Sequence, residues 1–195
     1  MALRIWLIRH GLTPLGEEKR YQGALDTHLS PTGRAALSPA DFSPKQVYVS
    51  SLRRTAETAA LLFPGAALIP VADLREMDFG AFEGRGWWEM EQDAAYRAWV
   101  DGGCLGRCPG GEDRAAFSGR VCRAFDELLR AKLAAGEKEL VIVAHGGTQM
   151  AILERWGSPA RTYYRWQTAC GHGWLLETAA WPGKLQVIEE VDFTR

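Results

Sequence analysis

The sequence predicts an α/β protein: a single-domain, three-layer α/β/α sandwich around a mostly parallel sheet. Short apolar runs of strand character end abruptly in polar residues, and helical patterns fill the intervals between them. That alternation is the signature of strands joined by helical crossovers on both faces of one sheet. The runs are Leu3 to Ile8, ending in Arg9-His10-Gly11; Val47 to Val49, ending in Ser50-Ser51; and Leu140 to Ala144, ending in His145-Gly146-Gly147. Near-continuous apolar strands bounded by Gly or Ser suit a sheet covered on both sides.

Helices are expected over Thr32–Leu37 behind Ser30-Pro31, and over Arg54–Leu62 behind the caps Ser50-Ser51. A longer one runs from Glu112 to about Leu133, with Phe117, Val121, Phe125, Leu128 and Leu129 forming its stripe, and a fourth follows Gly147. Late strands are expected at Gly173–Glu177 and Leu185–Glu190, around the turn Trp181-Pro182-Gly183-Lys184. Residues 83–111 break the pattern. They are rich in Trp and Gly and read as a lid-like insertion within a domain spanning 1–195.

With 195 residues, 47% hydrophobic and 24% charged, the chain has material for one buried core. A net charge of -1 and the absence of a basic block argue against a nucleic-acid or anionic-membrane partner. No apolar run approaches the roughly 20 residues that span a bilayer, and nothing at the N-terminus resembles a signal peptide, so a cytoplasmic location is expected. Cys104, Cys108, Cys122 and Cys170 lack the partners of a zinc set and read as free thiols, although a Cys104–Cys108 disulfide is an alternative. The oligomeric expectation is monomer or homodimer.

In open α/β sheets, ligands bind beyond the carboxyl ends of the strands. The polar strand ends deliver Arg9, His10, Arg54, His145 and the Gly146-Gly147 backbone to that edge. Guanidinium groups, imidazoles and free amides at a helix start describe a local phosphate pocket. His28 and His172 have no such setting and read as ordinary surface or core groups.

Arg9-His10-Gly11 resembles the signature of the histidine phosphatase superfamily, which includes the cofactor-dependent phosphoglycerate mutases. The resemblance continues in order along nearly the whole chain. It takes in Arg20-Tyr21-Gln22-Gly23, Leu29 to Gly33, Ser50 to Ala59, Leu74-Arg75-Glu76 with Phe79-Gly80, Pro109-Gly110-Gly111-Glu112 and His145-Gly146-Gly147. It implies a phosphoglycerate mutase-like fold and a phosphomonoester substrate, with no metal and no other cofactor. By this resemblance His10 attacks phosphorus and is transiently phosphorylated, and Arg54, rather than Arg53, joins Arg9 on the phosphate. His145, charged or donating, completes the clamp, while Glu76 gives a proton to the leaving group and later takes one from water. Thr13, Gln22, Gly23 and Gly146 are candidate substrate contacts. Ser50 is either a phosphate contact or a cap, Asp26 a turn residue, and Glu112 either a pocket residue or an acidic group at a helix start. Where many members carry Glu after Arg-His-Gly and Asn before the Arg-aromatic-Gln-Gly segment, this chain has Leu12 and Gly16.

Within the family, Phe79 to Gly84 and the compact length resemble the alpha-ribazole phosphatase-type small phosphatases of cobalamin assembly. Trp87 and Trp88 fit either stacking on an aromatic base or burial under the insertion. A phosphoglycerate mutase, a broad-specificity sugar phosphatase, a metal enzyme using His10, His145 and Glu76, and a non-catalytic phosphate-binding module are the alternatives. Two arginines beside that ligand set weigh against the metal reading.

Overall fold

The structure is a computed structural model that describes residues 2–195. One seven-stranded sheet carries β1 (Arg4–Arg9), β2 (Gln46–Val49), β3 (Ala67–Pro70), β4 (Glu139–Ala144), β5 (Gly157–Ser158), β6 (His172–Glu177) and β7 (Leu185–Asp192), in the order β3-β2-β4-β1-β6-β7-β5. All strands run one way except β6, which is antiparallel to both neighbours. The helices are α1 (Pro14–Glu17), α2 (Pro31–Ala36), α3 (Arg53–Leu62), α4 (Ala94–Asp101), α5 (Arg114–Ala134) and α6 (Gly146–Trp156).

The three layers follow from the pleat. Successive strand residues point to opposite faces. Ile5 and Leu7 of β1, with Leu140 and Ile142 of β4, therefore pack against Phe117, Val121, Phe125 and Leu129 of α5 and against α6. Ile8, Val141, Val143, Val47 and Val49 pack on the other face against Ala59 and Leu62 of α3. The predicted α5 stripe is buried, with Leu128 at its margin.

Several boundaries differ from expectation. α3 is not capped by Ser50 or Ser51: its N-cap is Leu52, and the free N–H of Arg53 donates to Asp26 Oδ1 at 2.7 Å. α5 starts after Asp113, whose carboxylate accepts from Ala116 N at 2.8 Å, so Glu112 lies outside the helix. β3 and α1 have four residues each, too few for a periodicity to register. β3 ends in Pro70, which an edge strand tolerates.

Residues 83–111 hold α4, anchored by Met90, Tyr96, Trp99 and Cys108, all buried beside Phe82. Trp87 and Trp88 are 52% and 43% exposed, so burial does not account for them. All four cysteines are free thiols. Among the described residues, no helix is long and apolar enough to cross a membrane.

Candidate active site

β1 and β4 are adjacent and parallel, in a register that sets Arg9 opposite Ala144. His10 N donates to Ala144 O at 3.0 Å, so the residues ending the two strands emerge side by side. The His10 and His145 rings lie 5.2 Å apart, edge to face. α3, on the far side of β4, turns Arg54 back over the same edge.

The tautomer of His10 is fixed by its partners. Nδ1 lies 2.7 Å from Gly11 O, and a carbonyl only accepts, so Nδ1 carries the hydrogen. Nε2 then presents its lone pair, toward which Arg54 Nε donates at 3.2 Å. The other Arg54 nitrogens donate to Leu25 O and Gly23 O, each at 2.7 Å, locking the guanidinium in place. Burial pulls Arg54 down to about 10, which leaves it charged at neutral pH. Burial first, and then the charges of Arg54 and Arg9, hold His10 well below the usual imidazole range.

His145 is held low by the same burial and by Arg54 and His10. Of the charged or donating forms expected for it, the charged one is corrected and the neutral ring remains. It sits behind His10 rather than in the cavity wall, with Nε2 2.8 Å from Ser50 Oγ. Ser50 thus buttresses His145, in place of either role expected of it.

Three buried side-chain atoms lack a partner among the described residues, and two of them are Arg9 Nε and His145 Nδ1. Buried donors are ordinarily satisfied, so an unmatched guanidinium N–H beside a basic cavity marks a place for an anion.

Glu76 closes the other side. Its oxygens accept from Met77 N at 2.9 Å and from Gly147 N at 3.0 Å. A Cβ on Gly147 would lie 2.1 Å from Glu76 Oε1, so only glycine admits the carboxylate there.

The cavity these groups surround is about 490 Å³. Arg9, His10, Thr13, Gln22, Gly23, Arg54, Glu76 and Trp87 line it as expected, whereas Gly146 and Trp88 do not. Gly146 packs against the Arg9 guanidinium, and Trp88 lies under Arg20 at 5.6 Å. The Thr13 hydroxyl is already committed, donating to Gln22 Oε1 at 2.9 Å and accepting from Gly16 N at 3.1 Å. Lys19, Tyr21, Phe79 and Gln167 also line the cavity and were not foreseen as contacts.

Residues 5–179 match the family described as the histidine phosphatase superfamily (branch 1). The chain belongs to that superfamily. It is 32% identical over 165 residues to the glucosyl-3-phosphoglycerate phosphatase of Mycobacterium tuberculosis (strain ATCC 25618 / H37Rv), covering 77% of this chain and 74% of that one. It is similar to the crystal structure of the alpha-ribazole phosphatase from Shigella flexneri, with a TM-score of 0.78 and 26% identity over 95% of each chain. It is likewise similar to the crystal structure of a phosphoglycerate mutase from Thermus thermophilus, with a TM-score of 0.70 and 27% identity over 97% of this chain and 98% of that one. Relatives of this histidine phosphatase chain thus carry both phosphatase and mutase names.

Sequence reasoning overlooked Arg120. It lies 7% exposed on the buried side of α5 and donates to the carbonyls of Asp73, Arg75 and Glu76 at 2.8–2.9 Å. It also pairs with Glu112 at 2.7 Å, and Glu112 accepts from Asp78 N at 3.0 Å. Glu112 is therefore a further correction: it stands outside the cavity, and with Arg120 it grips the chain on both sides of Glu76. The Phe79-Gly80 and Pro109-Gly110-Gly111 motifs dock on each other at this point. A Cβ on Gly80, whose φ is +53°, would lie 2.2 Å from Pro109 O.

The buried neutral histidines make stability pH-dependent. Below the unfolded value of about 6.5 the unfolded chain takes protons that folded His10 and His145 refuse. The unfolded state then binds more protons, so stability falls with falling pH by up to about 1.4 kcal/mol per pH unit for each histidine. Above that value this cost is absent. Urea midpoints between pH 7.5 and 5 should drop more steeply in the wild type than in His10→Gln, and parallel curves would refute the assignment.

Proposed function

We propose that the protein is a metal-independent phosphomonoesterase that passes the phosphoryl group of a small phosphorylated metabolite through His10 to water. The observation that carries the reading is the fixed, unprotonated Nε2 of His10 under the Arg54 guanidinium. In the first half-reaction Nε2 forms a bond to phosphorus as the bond to the ester oxygen breaks, and that oxygen takes a proton from Glu76. Arg9 and Arg54 donate to the equatorial oxygens, where charge accumulates, while the neutral His145 packs edge to face on the His10 ring. Water then attacks the phosphohistidine, Glu76 accepts its proton, and the nitrogen–phosphorus bond breaks.

The aromatic wall and the likeness to the Shigella flexneri structure support alpha-ribazole 5'-phosphate, an intermediate of cobalamin assembly, as a candidate substrate. Thr13, Gln22 and Gly23 shape the mouth of the cavity, while Gly146 and Trp88 support it from outside. Residues 83–111 act as the roof, with Trp87 at its inner edge. Four free thiols suit the cytoplasm. The mutase reading draws on Lys19, a cation at the cavity that could take a carboxylate. The metal reading is opposed by the charges of Arg54 and Arg9 beside His10, which would repel a divalent cation.

The test is turnover of p-nitrophenyl phosphate in EDTA, with acid-labile phosphoprotein trapped by rapid quench. Turnover through such an intermediate is expected. Loss of activity that added metal restores, or hydrolysis without a phosphoprotein, would overturn the reading. Release of phosphate from alpha-ribazole 5'-phosphate, against isomerisation of 3-phosphoglycerate, separates phosphatase from mutase.

Arg120 acts on this reaction as a positioning residue. Arg120→Lys keeps the charge but cannot span the same acceptors. It should lower kcat for alkyl phosphates roughly tenfold with little change in KM, a modest displacement of the catalytic carboxyl being enough for such a loss. A fall in thermal stability with unchanged kcat would make Arg120 structural only.

A further inference from the structure

A second cavity of about 330 Å³ adjoins the first, and the two share Tyr21, Glu76 and Phe79 as walls. We infer that this second cavity receives the leaving group, and that the leaving group is an uncharged aromatic alcohol. The inference rests on the phosphomonoesterase reading and names its substrate class.

The position of Glu76 is the first argument. A proton donor to the bridging oxygen must stand between the phosphoryl group and the departing alcohol. Glu76 is the carboxyl group common to both cavities. With phosphate held by Arg9 and Arg54 on one side, the alcohol extends to the other.

Wall chemistry is the second. Tyr21, Phe79, Trp99, Tyr163, Tyr164 and Met150 present rings and a thioether. Tyr21, Phe79 and Trp99 brace each other edge to face at 5.3–6.1 Å, so the surface is preformed. The Tyr21 hydroxyl is spent on Tyr96 Oη at 2.9 Å, leaving its ring to the cavity. Arg114 is the cation in this wall, and its charge is already matched. It stacks on Tyr163 at 3.6 Å and donates to both oxygens of Glu154 at 3.0 Å. A second phosphate or a carboxylate on the substrate would enter here with no free cation to meet it, at a steep desolvation cost. A planar apolar ring meets edge-to-face and stacking partners instead. The volume admits a two-ring group.

The experiment compares 2-(naphthalen-2-yl)ethyl phosphate with ethyl phosphate, both of which release primary alkoxides. The wild type should favour the naphthyl ester by roughly 30-fold or more in kcat/KM, the effect of burying a large ring. Met150→Lys places a charge in the cavity and should bring the two esters within about 3-fold of each other, read as the ratio of their kcat/KM values within the variant. Tyr164→Ala, at a position 53% exposed, should narrow the preference in the same direction and serves if the lysine variant fails to fold. Titration with 2-(naphthalen-2-yl)ethanol, followed by calorimetry, reads the cavity without turnover: the wild type binds it and Met150→Lys does not. Equal kcat/KM for the two esters, or alcohol binding untouched by both variants, overturns the inference and leaves the phosphomonoesterase standing. Alcohol binding with no hydrolysis of either ester overturns the phosphomonoesterase reading, and with it the leaving-group role.

Discussion

Replacing His10 by Ala is expected to eliminate the acid-labile phosphoprotein and to lower kcat/KM for p-nitrophenyl phosphate by at least about four orders of magnitude. The size of the effect follows from what remains. Arg9 and Arg54 still bind the phosphoryl group, but the nitrogen to which it would be transferred is gone. The variant should fold, because the lost side chain is a buried imidazole among cations rather than a packing element of either core. Its main debt is Gly11 O, which loses its donor, a cost of about 1–3 kcal/mol. A folded His10→Ala protein with wild-type turnover would end the phosphohistidine mechanism.

How much of this was legible in the sequence depended on the distance over which each role is set. Arg9, His10 and His145 announce themselves locally, each directly beyond an apolar strand. That they meet could not be read from chain order, since β1 and β4 are separated by two strands and five helices in sequence. Adjacency comes from the sheet order, in which β4 inserts between β2 and β1. The choice of Arg54 over Arg53 came from resemblance, and the physical reason is visible only in the fold. One turn residue, Asp26, draws the Arg53 side chain and backbone outward, and Arg54 is left facing the interior.

Ser50 was misread because its partner, His145 Nε2, lies 95 residues away. Sequence leaves His145 as charged or donating because it shows neither the depth of the ring nor the competing arginines. Arg120 did leave a signal. It falls between Phe117 and Val121 on an otherwise apolar stripe, and a charge on a buried helical face demands a partner. Glu112, eight residues earlier, was the available one. The second cavity left no comparable mark, because its walls come from the Tyr21 loop, the Phe79 loop, α4, the start of α5, α6 and the turn at Tyr163–Trp166.

Glu76→Gln is expected to separate its effects by leaving group. An alkoxide departs with a strongly basic oxygen, so without a proton donor the alkyl ester should lose roughly 10²–10⁴-fold in kcat/KM. p-Nitrophenolate hardly needs the proton, and its kcat/KM should change by less than about tenfold. The comparison is made on kcat/KM because that constant ends with formation of the phosphohistidine. Glu76 is used again when water attacks, and kcat would mix the two duties. The amide also disturbs its own setting: Glu76 accepts from Met77 N and Gly147 N, and a glutamine NH₂ must face one of these donors. That misfit affects both substrates alike, so it sets a common baseline rather than the difference between them. The slope of log kcat/KM against leaving-group pKa should therefore be steeper in Glu76→Gln than in the wild type. Parallel slopes would mean that the carboxylate orients Gly147 and the α6 terminus but does not protonate the ester oxygen, and another donor would have to be sought in the cavity wall.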